Sequence, residues 1–87
     1  MSGAGVTVRY WAALRAAAGT SSDEVPAGTL ADVLAAVAAR HTDGPRFSHV
    51  LGICSVLVDE RPVTDDPAGV TVGAGSVVDL LPPFAGG

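Results

Sequence analysis

Lysine is missing from this 87-residue chain: its five basic residues are all arginine, at positions 9, 15, 40, 46 and 61. The protein therefore has no side-chain amine to form a Schiff base. The arginines are scattered and the formal net charge is −4, so no basic patch is available to a phosphate backbone and no nucleic-acid partner is expected. A single cysteine, Cys54, excludes an intrachain disulfide. Long apolar runs are also lacking, and the N-terminus has no charged region followed by an apolar stretch. No membrane association is expected, and the composition reads as that of a soluble cytoplasmic protein.

What is present is 48% hydrophobic residues against 16% charged ones, too apolar for a disordered chain. The length suits one small domain, residues 1–87. Residues 1–5 read as a flexible leader. Val6 to Trp11 alternates and is rich in β-branched and aromatic residues, which predicts a strand. Ala12 to Ala18 predicts a short helix that Gly19 ends, and Ser22 to Val25 a second strand.

Thr29 is a good N-cap with Asp32 three residues on. Leu30, Val33, Leu34 and Val37 then repeat on one helical face, predicting an amphipathic helix of about three turns. Arg40 and His41 suit its negative end, and Asp43-Gly44-Pro45 stops it. Val50-Leu51, and more clearly Cys54 to Val58, predict a central strand. Val63 begins an edge segment after the polar turn Asp59-Glu60-Arg61-Pro62, and Val77 to Leu81 forms the last strand. The order fits an α+β fold, a ubiquitin-like β-grasp in which a mixed sheet wraps over one main helix. The first and last strands, the most apolar, should pair at its centre.

Catalytic constellations are sparse. His41 and His49 match no helical metal pair and read as exposed loop residues, so no metal site is expected. Cys54 reads as a buried, inert thiol. The acidic pairs Asp59-Glu60 and Asp65-Asp66 flank turns and should be solvated. Gly73-Ala74-Gly75 precedes a strand instead of opening a helix, so it reads as a hairpin turn and not a phosphate cradle.

The last eight residues, Leu80-Leu81-Pro82-Pro83-Phe84-Ala85-Gly86-Gly87, are different. A core strand runs into two prolines, which stiffen the exit and remove two N–H donors. Residues 82–87 then form an extended arm. Its Phe84 needs somewhere to dock, and Gly86 and Gly87, lacking Cβ atoms, can thread a narrow channel. The Gly87 α-carboxylate becomes the candidate reactive group.

On these residues the chain resembles the MoaD/ThiS family of ubiquitin-like sulfur carriers, and most closely its MoaD branch, the small subunit of molybdopterin synthase. The likeness rests on Trp11-Ala12-Ala13-Leu14-Arg15 with Gly19, on Val56-Leu57-Val58-Asp59-Glu60, and on Leu80 to Gly87. Gly73-Ala74-Gly75-Ser76 stands where the family commonly has Asp-Gly-Asp, and Phe84 where it has a smaller aliphatic residue. The resemblance implies a non-catalytic carrier with no bound cofactor. An E1-like adenylating enzyme would spend ATP to activate Gly87, and a persulfide donor would convert it to a thiocarboxylate. The arm, with Pro82, Pro83, Phe84, Ala85 and Gly86, would insert into the large subunit, MoaE, and deliver sulfur to a pterin precursor. Trp11, Pro62 and Leu81 then stand where an apolar docking patch is implied, although Trp11 and Leu81 suit a core equally well. Sulfur delivery to thiazole or cysteine biosynthesis, or a role as a ubiquitin-like protein modifier, would use the same arm.

Overall fold

The computed structural model describes residues 5–42 and 45–83. Strand β1 (Gly5–Tyr10) buries Val6, Val8 and Tyr10 on one face and turns Thr7 and Arg9 to the other, the two-residue period of a pleated strand. It begins inside the expected leader, because Gly5 pairs with Pro26. A Cβ on Gly5 would lie 2.9 Å from the Val25 carbonyl oxygen. Helix α1 (Ala12–Ala18) buries Leu14 and ends at Gly19, whose φ of 75° is the left-handed conformation that glycine adopts without strain. Strand β2 (Ser22–Pro26) returns antiparallel to β1.

The two-residue strand β3 (Gly28–Thr29) leads into helix α2 (Leu30–Arg40). Its capping box is complete: the Asp32 amide donates to Thr29 Oγ1 at 3.1 Å, and the Thr29 amide donates to Asp32 Oδ2 at 3.2 Å. Two of the helix's otherwise unpartnered N-terminal donors are satisfied in this way. Leu30, Val33 and Val37 are buried as the periodicity predicts, while Leu34 packs at the margin of the core.

A second helix, α3 (Pro45–Leu51), stands where Val50-Leu51 had suggested strand. Proline is favoured in the first helical turn, where its missing N–H costs nothing, and Phe47 and Val50, three residues apart, share the buried face. The β-propensity of Val50 and Leu51 is overridden by this packing. The strand proper is β4 (Ser55–Val58), antiparallel to β5 (Arg61–Val63). After a 3₁₀ turn at Pro67–Gly69 come β6 (Thr71–Val72) and β7 (Val77–Leu81).

The main sheet has the order β2-β1-β7-β4-β5, with β1 and β7 parallel at its centre as expected. Strands β3 and β6 form a separate two-stranded ribbon. Gly73-Ala74-Gly75 is therefore no hairpin turn: the strands on either side of it belong to different sheets. The inner face of the main sheet (Val6, Val8, Tyr10, Val25, Val78, Leu80) closes over α2, with Leu14, Phe47, Val50 and Val72 completing the core. This is the α+β, β-grasp arrangement, with α2 as main helix and two shorter helices beside it.

Candidate functional site

The face of the sheet turned away from α2 presents one residue from each of the five strands in a single row. Arg9 is level with Ser22 and with Asp79, Asp79 with Leu57, and Leu57 with Pro62. The next outward position of β7 is Leu81, and Trp11 follows Arg9 by two residues at the end of β1. Trp11, Pro62 and Leu81 thus share one face. Trp11 is 41% exposed, Pro62 is exposed and Leu81 half-buried, so neither Trp11 nor Leu81 is among the fully buried core residues.

Asp79 lies at the middle of that row and is the buried charged residue of the face, its side chain only 8% accessible. Arg9 donates to it twice, Nε to Oδ1 at 2.6 Å and Nη2 to Oδ2 at 2.9 Å. The Trp11 indole N–H donates to the same Oδ1 at 2.9 Å. The Arg9 guanidinium carbon sits 5.7 Å from the centre of the Trp11 ring, within cation–π range. The Arg9 hydrogen bonds hold the Asp79 carboxyl below the usual range; burial opposes them, and the Trp11 bond and the Arg9 charge assist. Sequence reading missed Arg9 and Asp79. The available signal was an aspartate inside the most apolar strand, in phase with its outward positions.

Leu81 is the last residue of β7 to pair, opposite Ser55. Pro82 is buried and Pro83 exposed, and neither carries an N–H to extend the ladder. Phe84, Ala85, Gly86 and Gly87 lie outside the described residues. Ile53, 55% exposed, precedes the Ser55–Leu81 pair by two residues, as Pro83 follows it by two.

A second polar cluster closes the other side of the sheet. Tyr10 Oη donates to Asp23 Oδ2 at 2.8 Å, and His41 Nε2 lies 2.6 Å from the same oxygen. Arg40 Nη1 is 3.8 Å from Oδ1. His41 stacks on Phe47 at 4.4 Å, and Tyr10 meets both rings edge-on. Burial works against the Asp23 charge, but the hydrogen bonds from His41 and Tyr10 and the nearby positive charges together lower its pKa. Burial, then the Asp23 bond, pushes the Tyr10 phenol up. His41 is therefore not the exposed loop residue expected; it ties the end of α2 to β2 and α3. His49 is exposed, but on α3 and not in a loop.

Cys54 is half-buried, its thiol bonded to the Val50 carbonyl at 3.3 Å and pushed up to about 11 by burial, which agrees with an inert thiol. Asp59 accepts from the Val77 amide and from Ser76 Oγ, both at 2.9 Å, and these bonds lower its pKa. Among the described residues no three His, Cys, Asp or Glu converge as a metal site, and no helix is long and apolar enough to cross a membrane.

A model of the ThiS family matches residues 8–87. No curated protein matches the chain. Among solved structures, SAMP1 from Haloferax volcanii is similar at 26% identity and a TM-score of 0.79, over 95% of this chain and 99% of its own. A chain from the complex of subunits 1 and 2 of the molybdopterin-converting factor of Helicobacter pylori is similar at 20% identity and a TM-score of 0.68, over 95% and 99%. Urm1 from Trypanosoma brucei is similar at 13% identity and a TM-score of 0.62, over 100% and 99%. At these identities the last two speak for the fold alone.

Proposed function

The chain belongs to the ThiS family of ubiquitin-like sulfur carriers, and from that premise we propose that the Gly87 carboxylate is its working group, delivering sulfur to a pterin precursor in molybdopterin formation. A carboxylate is a poor electrophile. A separate adenylating enzyme joins it to the AMP of ATP and releases pyrophosphate. A persulfide sulfur then attacks the acyl carbon and AMP leaves; a second thiol cleaves the resulting S–S bond, and the sulfur stays on Gly87 as a thiocarboxylate. The protein supplies the arm, and the partners supply the acids, bases and ATP. We place the reaction in the cytoplasm, with the large synthase subunit as acceptor of the arm.

The observation that carries this reading is the family match running to Gly87 on a chain whose central strand stops pairing at Leu81 and continues through two prolines. The doubled proline, Pro82-Pro83, supports the pterin branch over the thiazole branch. A second reading, a protein modifier, is favoured by the 26% likeness to SAMP1, a small archaeal modifier protein. That reading would use the same adenylate and end in an amide bond to another protein's lysine.

Intact-mass analysis of the protein from its own cells separates the two. One oxygen replaced by sulfur at Gly87 is the expected result; Gly87 bonded to lysines of other proteins would favour the modifier. An unmodified Gly87 after incubation with adenylating enzyme, ATP and persulfide donor would overturn both. The Gly87→Ala variant should fold normally and be activated roughly 10–200-fold more slowly, the range for one methyl group against a close-fitting site. Unchanged activation would remove the narrow-channel argument.

A further inference from the structure

Asp79 is an unusual residue for its place. A carboxylate in the middle of a sheet face has lost most of its hydration, and such a pair seldom stabilises a fold more than an apolar residue of similar size would. Its inward neighbours Val78 and Leu80 are apolar, and Leu57 beside it in the row is apolar too. What a leucine could not do is hold two outward side chains. Asp79 takes Nε and Nη2 of Arg9 and the N–H of Trp11; among the described residues Arg9 Nη1 has no hydrogen-bond partner, and the indole is 41% exposed. Trp11 and Ile53 are the exposed large hydrophobic residues among those described.

The reach of the arm limits where a partner for these groups can sit. Four residues follow Pro83 to Gly87, a span of at most about 14 Å fully extended. An enzyme that brings Gly87 to its reacting centre must therefore lie against the surface around the arm's root, where Leu81 and Trp11 are. The face offers it an ion pair already neutralised within the protein, flanked by Leu57, Leu81 and Pro62, so covering it desolvates no uncompensated charge.

We propose that Asp79 is a positioning residue, whose carboxylate holds the Trp11 indole and the Arg9 guanidinium as a pre-ordered anchor for the enzyme that adenylates Gly87. The inference rests on the carrier reading. The occupant is a protein surface with an apolar pocket for the indole and an oxygen acceptor for Arg9 Nη1. A side chain ordered before encounter loses little freedom on docking, and a central aromatic beside an arginine is the usual composition of the residues that dominate an interface.

The test uses the full chain and its Asp79→Leu, Asp79→Asn and Trp11→Phe variants. Trp11 is the sole tryptophan, so fluorescence anisotropy and acrylamide quenching report on it alone. ATP–pyrophosphate exchange by the cognate adenylating enzyme, with the carrier varied, gives KM and kcat separately. Asp79→Leu should fold, show lower indole anisotropy, and raise KM about tenfold at unchanged kcat. Asp79→Asn keeps an acceptor for the indole and should recover part of both changes. Trp11→Phe should raise KM on its own. A wild-type KM in Asp79→Leu, or a KM increase in all three variants that tracks loss of folded protein, overturns the role given to Asp79. Exchange that the wild-type protein itself fails to support overturns the carrier reading and the occupant with it, while the anisotropy still decides whether Asp79 holds Trp11.

Discussion

Tyr10 is the protein's sole tyrosine, and its buried ring meets the stacked His41 and Phe47 rings edge-on, with Asp23 as acceptor of its hydroxyl. Burial disfavours the phenolate, and ionising it would also break the bond to Asp23 and set a second negative charge beside that carboxylate, which is why its pKa is raised. The sign follows: unfolded, the phenol loses its proton near its ordinary pKa of about 10, whereas the folded protein resists. Stability from this source is intact below that pH and is lost as pH climbs above it. Tyrosinate absorbance should therefore stay absent past the ordinary titration range and appear together with the loss of circular dichroism. A simple titration at the ordinary pKa in the folded protein would contradict the Tyr10–Asp23 contact. The cluster was illegible from sequence because its members, at 10, 23, 41 and 47, belong to β1, β2, the end of α2 and α3 and meet only after those four elements have packed.

Among the elements, the β4–β5 connection carries the clearest local strain. Asp59 and Glu60 have φ of 50° and 70°, the double left-handed geometry of a tight hairpin turn that matches strand twist and favours Asn-Gly. Asp59 compensates through its bonds to Ser76 and Val77; no hydrogen bond from the Glu60 side chain is found among the described residues. Glu60→Gly should raise stability by a few tenths to about 1 kcal/mol, the left-handed penalty less the added freedom of glycine in the unfolded chain, read as a higher urea midpoint. A lower midpoint would mean that Glu60 supports the fold through another contact. The turn itself was legible at Asp59-Glu60, although Arg61 and Pro62, expected in it, pair as the start of β5; the α2 capping box was legible in Thr29 and Asp32. Helix α3 was not: seven residues are too few for a periodic pattern to outweigh the β-propensity of Val50 and Leu51.

For the molecule as a whole, three carboxyls among the described residues, Asp23, Asp59 and Asp79, on different parts of the sheet, sit below their ordinary range. Each binds its proton more readily in the unfolded chain, so each contributes stability above the unfolded pKa of about 4 and loses it as pH falls through the lower folded value. The melting temperature should be flat near neutrality and drop steeply in acid below about pH 4. Asp79→Leu should flatten part of that acid limb by removing one of the three groups. An identical slope in the variant would show that Asp79 titrates alike in both states.

Strand and helix periods, turn residues and the two prolines after β7 are local properties of consecutive residues, so the sequence by itself determined β1, β2, β4 and β7, helices α1 and α2, the α2 cap, and the two most apolar strands as the centre of the sheet; it did not determine α3 or the β3–β6 ribbon. The outward face is a different matter. Arg9 and Asp79 are 70 positions apart, and whether they meet depends on the parallel register of β1 against β7. A shift of one residue in that register would bring Arg9 level with Val78 or Leu80 instead. Only the tertiary structure decided that Trp11 stands in solvent beside a buried carboxylate, because long-range pairing, and not local preference, brings the three side chains together.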